Sequence, residues 1–555
     1  MAASPARMPP IWTTGSTEEL NTGTWRNDIA IHQKRPAPCH NACPVDGAIP
    51  EWIRQVRNED IHGAWLSLME HNPIPASIGR VCHRPCESAC NRLQYDGAVA
   101  INALEQYVGD FAIRKGWTFP SPTTNHKQKV AIVGGGPAGL SCAFQLRRKG
   151  FGVTLFDANP ELGGVLYYGV PDFRLPRSVV TAEAARIVAM GVQVVPGRRM
   201  SATDLDGLQK EYAAVFIAFG AHNPKRLPQF SKSDPKVIDA IDFLRSVKLG
   251  TPRSIGAKVA VIGGGSVAMD CAASVIRLGS SATIIAVEKR GAMPAEEGEI
   301  QDVLDEGGAL IDGAMVKKAQ GGSGAFRLGC VKAELDPNAP AGVIIPVEVK
   351  GTDFELAADT VILAVGQDPE IADWQASLRT SRNMVTIDDR YMTSRDGIFA
   401  AGDAASSVRF VSTAVGDGKR AAQSITRYLG ASQAGGEQAS AAATEVSFAD
   451  INTFYFSPAE QKERNKLDAE ERNSGFDEIR LGYSVEQALA QSDRCFTCGD
   501  CTECDNCFYY CPDMAIVKDP ASPLHYRVLE QYCKGCGSCV TECPRGAMIL
   551  REELK

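Results

Sequence analysis

The sequence predicts an α/β multidomain protein with a helical N-terminal domain, two Rossmann-like units, one inserted in the other, and a small α+β domain at the C-terminus. Three observations predict it. The stretch KVAIVGGGPAGL at residues 129–140 and its counterpart KVAVIGGGSVAMD at 258–270 each run a short apolar strand through a glycine turn into a helix. The 18 cysteines are clustered: five lie between residues 39 and 90, ten between 495 and 543, and three are scattered. The 555 residues also exceed the roughly 100 to 200 that one core usually organises.

The bulk numbers narrow the function classes. A net charge of -8 without a basic block argues against nucleic acid as a partner. The first thirty residues lack a signal-peptide core, and no run approaches the ~18 apolar residues of a membrane span. A soluble, cytoplasmic protein is expected, without membrane insertion. In such a reducing compartment clustered cysteines read as metal ligands before disulfides.

Residues 1–38 are expected as an extended arm. Cys39 and Cys43 follow at x3 spacing, then a helical stretch at 49–68, then Cys82, Cys86 and Cys90, again at x3 spacing. That spacing is too loose for a zinc ribbon, and five thiols exceed one tetrahedral site, so iron and sulfur fit better. The segments CHNACPVDGAIPEWI, NPIPASIGRVCHRPCESACN and AINALEQYVGD resemble the N-terminal iron-sulfur domain of the glutamate synthase small-subunit family, which includes the flavin half of dihydropyrimidine dehydrogenase. The resemblance implies 4Fe-4S clusters, one of them taking a Gln or Glu as its fourth ligand. That position falls on Glu105, beside Cys43, Cys82 and Cys86; an ordinary helix-face glutamate is the alternative. The leading Cx2C pair of the relatives is absent here.

In the first glycine turn Gly134 permits the bend, Gly136 lets the backbone approach a pyrophosphate, and Gly139 lets helix and strand pack closely. Pro137 and Ala138 open the helix whose amides face the phosphates, and Asp157, at the end of the next strand, is placed for a ribose hydroxyl. The resemblance makes this the FAD site, with the segment around Gly163 and Gly164 lining the isoalloxazine. Residues 215–220 read as the strand closing the first half of the FAD domain.

The second turn carries Gly263, Gly265 and Ala268, with Ser266 and Val267 opening its helix. Two such units in one chain suggest one site for FAD and one for a nicotinamide dinucleotide. Glu288, read at the end of the strand 282–287, favours NAD(H), because an acid accepts a 2'-hydroxyl and repels a 2'-phosphate. Lys289 and Arg290 keep NADP(H) open. Residues 359–366 read as the strand that returns the chain to the FAD domain. There TSRDGIFAAGD at 393–403 resembles the superfamily's second FAD motif, which assigns Gly402 and Asp403 to the ribityl chain. Thr413 and Ala414 begin a helix at 411–425 that faces the flavin. A small, polar stretch at 431–447 opens an expected linker that runs to residue 490.

The tail carries two runs of the bacterial two-cluster ferredoxin type, in which the fourth cysteine of each run serves the other cluster. The expected sets are Cys501, Cys504 and Cys507 with Cys543, and Cys533, Cys536 and Cys539 with Cys511. Cys495 and Cys498 stand before them as an additional Cx2C. Their context, EQALAQSDRCFTCG, resembles the family's usual N-terminal lead-in. That likeness implies that the missing pair has moved to the tail to join Cys39 and Cys90, for 16 ligands and four clusters. Spare thiols or a shifted ferredoxin register are the alternative.

The expected domains are therefore the arm 1–38, an iron-sulfur domain 39–124, FAD-domain halves 125–228 and 366–430 around a nicotinamide domain 229–365, the linker 431–490 and a ferredoxin domain 491–555. Cys142, Cys271 and Cys330 are isolated, so no redox-active cysteine pair accompanies the flavin. The expectation is an NAD(P)H:acceptor oxidoreductase subunit. It would move electrons between the nicotinamide, FAD and 4Fe-4S clusters, to or from a partner redox enzyme or ferredoxin in a hetero-oligomeric complex, such as a 2-oxoacid:ferredoxin-type enzyme. Two rivals are a glutamate synthase small subunit, which the ferredoxin tail counts against, and a non-catalytic electron-carrying scaffold, which the intact second turn counts against.

Overall fold

In the computed structural model, which describes residues 21–231, 233–321, 324–340, 344–431, 443–522 and 524–553, each glycine turn leaves the middle strand of a five-stranded parallel sheet. The first sheet runs Ile398–Ala400, Ala214–Ile217, Lys129–Val133, Gly152–Phe156, Gln193–Val195. The second repeats the plan as Ala309–Ile311, Ser281–Ile285, Lys258–Ile262, Thr360–Leu363, Val237–Asp239. Val130 to Ile132 and Val259 to Val261 are almost fully buried, as strands covered on both faces must be; one face of the second sheet packs on the antiparallel strands Ala314–Gln320, Phe326–Leu335 and Phe354–Ala358. The strand at Thr360–Leu363 pairs with Lys258–Ile262 and Val237–Asp239, so it belongs to the second sheet. The chain rejoins the first sheet only later, at Ile398–Ala400, which pairs with Ala214–Ile217.

The expected helical stretch at 49–68 is two helices, Ile49–Arg57 and Ile61–Met69. Glu59 adopts a left-handed conformation between them, and Asp60 caps the second by accepting the Gly63 N–H at 2.8 Å. Such a side-chain cap lets a helix start anew where the periodicity alone reads through. These helices share one apolar core with the first sheet: Trp52, Trp65 and Leu104 lie in the same buried cluster as Phe144 and Phe216.

The stretch read as a linker divides. Residues 432–442 lie outside the described residues, but 443–490 is an ordered strap. Val446, fully buried, donates its N–H to Pro36 O at 3.1 Å. Further on, Lys466, Arg472 and Arg480 all pair with Asp302 of the domain built on the second sheet, Arg472 at 3.3 Å and Arg480 at 2.7 Å. Ile479 enters that domain's core, and Glu478 pairs with Arg80 of the N-terminal domain at 2.7 Å. A segment polar in composition is thus held by partners far away in the sequence.

Its last helix, Val485–Asp493, packs on Ile49–Arg57 and delivers the chain to the C-terminal domain. There the arm expected at 1–38 reappears. Its strand Asp28–His32 pairs antiparallel with Met548–Glu552, and Arg26 forms a salt bridge with Glu553 at 2.7 Å. The two ends of the chain are therefore knitted into one domain.

Candidate functional site

The FAD-side candidates converge on the N-terminus of the helix Pro137–Arg148. Gly134 has φ +106°, and a Cβ there would overlap the Ala218 carbonyl oxygen. A Cβ on Gly139 would overlap the Gly134 carbonyl, so that glycine serves close packing. Gly136 differs: its Cβ would meet only the Gly164 Cα, at 3.9 Å, leaving an open cradle in front of the helix amides. Asp157 is 6% exposed, and its Oδ2 accepts the Gly135 N–H at 2.7 Å. Gly402, at φ +63°, lies against Ala138 and Ala414, which brings Asp403, Thr413 and Ala414 to the same place. Burial raises the Asp403 carboxyl to about 6, with the Arg409 charge opposing. An open helix N-terminus faced by buried acids suits the phosphates and hydroxyls of a dinucleotide.

The second site repeats this with one shift in register. Gly134 N–H donates to Phe156 O and Gly263 N–H to Ile285 O, so the counterpart of Asp157 is Ala286, and Glu288 lies beyond the strand rather than at its end. The longer side chain returns to the same spot. Glu288 is 5% exposed with Oε2 against Gly264, as Asp157 lies against Gly135. That Oε2 is buried without a hydrogen-bond partner, and burial raises the carboxyl above its usual range. Gly265 and Ser266 open the helix Ser266–Arg277, Ala268 is buried beneath them, and Val267 is partly exposed. Arg290 is already engaged by Glu297 and, at 2.7 Å, by Gln301, whereas Lys289 is exposed.

The cysteines surround cavities. One is lined by Cys43, Cys82, Cys86 and Glu105, with Ser412 from the helix Val411–Tyr428 at its wall. A second is lined by Cys501, Cys504, Cys507 and Cys543, and a third by Cys511, Cys533, Cys536 and Cys539. Among the described residues no three such groups converge closely enough for a single metal ion. Four ligands around a cavity is instead the arrangement of a polynuclear cluster, in which each iron takes its own ligand. Burial raises the Glu105 carboxyl to about 7, with Asn72 donating to Oε1 at 2.8 Å as the opposing influence. Burial likewise pushes the Cys43 thiol up to about 11 and Cys82 up to about 12. Such groups fit as ligands of a cationic centre, which supplies the charge that burial withholds.

Cys39 is held well above its usual range by burial and then by the charges of Cys90, Cys495, Cys498 and Cys86. Cys504 and Cys536 are exposed. Cys142, Cys271 and Cys330 are each buried within their own elements. Sequence reasoning missed Asn72 and Ser412, since a long-range hydrogen bond and a cavity wall leave no local pattern.

The sequence matches the family profile described as pyridine nucleotide-disulphide oxidoreductase over residues 128–418. Residues 32–117 match dihydropyrimidine dehydrogenase domain II, 4Fe-4S cluster, and residues 526–549 match 4Fe-4S binding domain. Among curated proteins, the NADP(+)-dependent formate dehydrogenase subunit beta of Moorella thermoacetica is 32% identical, over 83% of this chain and 70% of that one. The NADPH-Fe(3+) oxidoreductase subunit beta of Geobacter sulfurreducens is 30% identical, over 85% and 77%. The NAD-dependent dihydropyrimidine dehydrogenase subunit PreT of Escherichia coli is 35% identical, over 71% and 91%. No helix among the described residues is long and apolar enough to cross a membrane.

Proposed function

The chain belongs to the pyridine nucleotide-disulphide oxidoreductase family, and from that premise we propose that it is the electron-transfer subunit of an NAD(P)H-dependent complex, exchanging electrons with a partner redox enzyme or ferredoxin. When bound, FAD interconverts hydride and single-electron chemistry, and 4Fe-4S clusters carry single electrons. The residues of this chain hold, order and separate those groups. Gly136, Asp157, Gly164, Asp403 and the first turn of Val411–Tyr428 would hold FAD, and Gly265, Ser266 and Glu288 the nicotinamide dinucleotide.

One observation carries the reading: a cavity lined by four candidate cluster ligands adjoins the residues that would hold FAD, and two more such cavities lie in the C-terminal domain. Ser412 borders the cavity of Cys43, Cys82, Cys86 and Glu105, one residue from Thr413. Each tail cavity is lined by one exposed cysteine, Cys504 or Cys536, where a partner has access. A 2-oxoacid:ferredoxin-type enzyme is the partner class we favour, and the unpaired thiols suit the reducing cytoplasm. Full-length protein loaded with flavin and iron is expected to reduce a one-electron dye with a nicotinamide, or to reduce the nicotinamide from reduced dye. Turnover in neither direction would refute the reading.

The orphaned Oε2 of Glu288 and the prior engagement of Arg290 support NAD(H) over NADP(H). The expected result is a higher kcat/KM for NADH, with Glu288→Ala narrowing the ratio about fivefold or more, since a charge against a 2'-phosphate is worth about 1 to 4 kcal/mol. A wild-type preference for NADPH would contradict it.

A further inference from the structure

Of the seven cysteines outside the three cavities, Cys142, Cys271 and Cys330 are isolated, and the other four come from opposite ends of the chain. Cys39 lies on the helix Pro38–Ala42, Cys90 just before the turn Asn91–Gln94, and Cys495 and Cys498 just after the helix Val485–Asp493. All four belong to or pack against the same buried apolar cluster, and none forms a disulfide. The residues beside Cys90 hold the tail pair directly. Asn91 Nδ2 donates to Cys498 Sγ at 3.5 Å, and Arg92 donates to the Arg494 carbonyl at 2.8 Å. From the other side, Arg35 N–H donates to Gly499 O at 3.0 Å, four residues before Cys39. Gly499 has φ +74°, and a Cβ there would overlap the Arg35 carbonyl, so the two segments are fitted to each other.

The backbone at Cys495 adds a second observation. Thr497 stands two residues beyond it at φ +54° and donates its N–H to Cys495 Sγ at 3.4 Å. Arg84 does the same beyond Cys82, at φ +58° and 3.4 Å. Glu503 beyond Cys501 and Gly535 beyond Cys533 take the same left-handed conformation, at +55° and +70°. Non-glycine residues seldom adopt it. The turn thus recurs at a leading cysteine of each set, and Cys495 shares it.

We propose that Cys39, Cys90, Cys495 and Cys498 form a fourth 4Fe-4S site, closed only when the tail folds back onto the N-terminal domain. The proposal rests on the electron-transfer reading above. It makes the site a bridge. Cys39 lies on a short helix that ends at Cys43, and Cys86 and Cys90 are four residues apart, so this site adjoins the Glu105 cavity. On the far side Arg545 donates to Phe496 O at 2.6 Å and lines the cavity of Cys501 and Cys543. The strap therefore closes the gap between flavoprotein and ferredoxin parts as well as joining them.

Iron analysis of anaerobically prepared, fully loaded full-length protein tests this. The wild type is expected to hold about 16 iron atoms per chain, four for each of four clusters. Cys39→Ser/Cys90→Ser and Cys495→Ser/Cys498→Ser should each lose about four. The quadruple variant should lose the same about four, because both pairs serve one cluster. A wild type holding only about 12, or a quadruple variant losing about eight, would overturn the site while leaving the electron-transfer reading intact. The wild-type count decides even if a variant fails to fold. Protein that binds flavin and no iron would overturn the site together with the reading it rests on.

Discussion

Gly265→Asp is expected to fold, keep its flavin and lose nicotinamide-dependent dye reduction by about three powers of ten in kcat/KM. The position has φ -93°, which any residue adopts, and a Cβ there would meet nothing within 4 Å. The new carboxylate would therefore cost the fold little and stand in the cradle at the N-terminus of Ser266–Arg277. Two like charges about 4 Å apart cost about 4 kcal/mol at an effective dielectric of about 20. Each 1.36 kcal/mol is about tenfold in rate, which gives the thousandfold figure. Gly263, the first glycine of that turn, would be the wrong position for such a test, because a side chain there collides with the Ala364 carbonyl and unfolding would mimic lost binding. Wild-type turnover in Gly265→Asp, with unchanged KM, would show that the nicotinamide binds elsewhere.

The second large effect is expected at Arg494, whose side chain is 2% exposed. Its guanidinium donates to the carbonyls of Ala98 and Gly97 at 2.7 Å, Ala459 at 2.9 Å and Asp96 at 3.1 Å, and pairs with the Asp96 carboxylate at 3.1 Å. Arg494→Met leaves the Ala98 and Gly97 carbonyls without this donor, while the Asp96 carboxylate keeps Arg92. A buried acceptor left unsatisfied costs about 1 to 3 kcal/mol, or about 2 to 6 kcal/mol for the two. The cost falls on the attachment of residues 494–499. Hydrogen exchange of those amides should accelerate by about one to four powers of ten, at 1.4 kcal/mol per tenfold, while residues 129–133 stay protected. Unchanged exchange at 494–499 would mean that the attachment is held by other contacts.

What could be read from sequence was the local chemistry. Gly134, Gly136 and Gly139 follow from the bend, the close approach and the packing that one turn requires, and the two tail runs follow from ligand spacing. Legibility failed where distance entered. Glu288 could be singled out as an acid near the second glycine turn, but its register could not, because a longer side chain reaches from beyond the strand to the place against Gly264 that Asp157 takes against Gly135. Residues 443–490 read as linker because Arg472 and Arg480 look like solvated charges. Their partner Asp302 lies about 170 residues earlier, where no periodicity connects them. The strand at Asp28–His32 was hidden for the same reason, since its strand partner among the described residues, Met548–Glu552, lies more than 500 residues away.

The central claim is a single conducting path from the nicotinamide site to the exposed tail cysteines, and electron paramagnetic resonance on loaded full-length protein tests it most directly. Oxidised protein is mixed anaerobically with NADH, and reduced protein, freed of reductant, is mixed with NAD+; each is frozen before and after equilibration. In at least one direction the iron-sulfur signals should change in step with the nicotinamide, about two electrons per nicotinamide as hydride chemistry requires. Gly265→Asp should abolish that change while chemical reductant still reaches every cluster. Flavin that equilibrates with the nicotinamide while the cluster signals stay fixed in both directions would contradict the path.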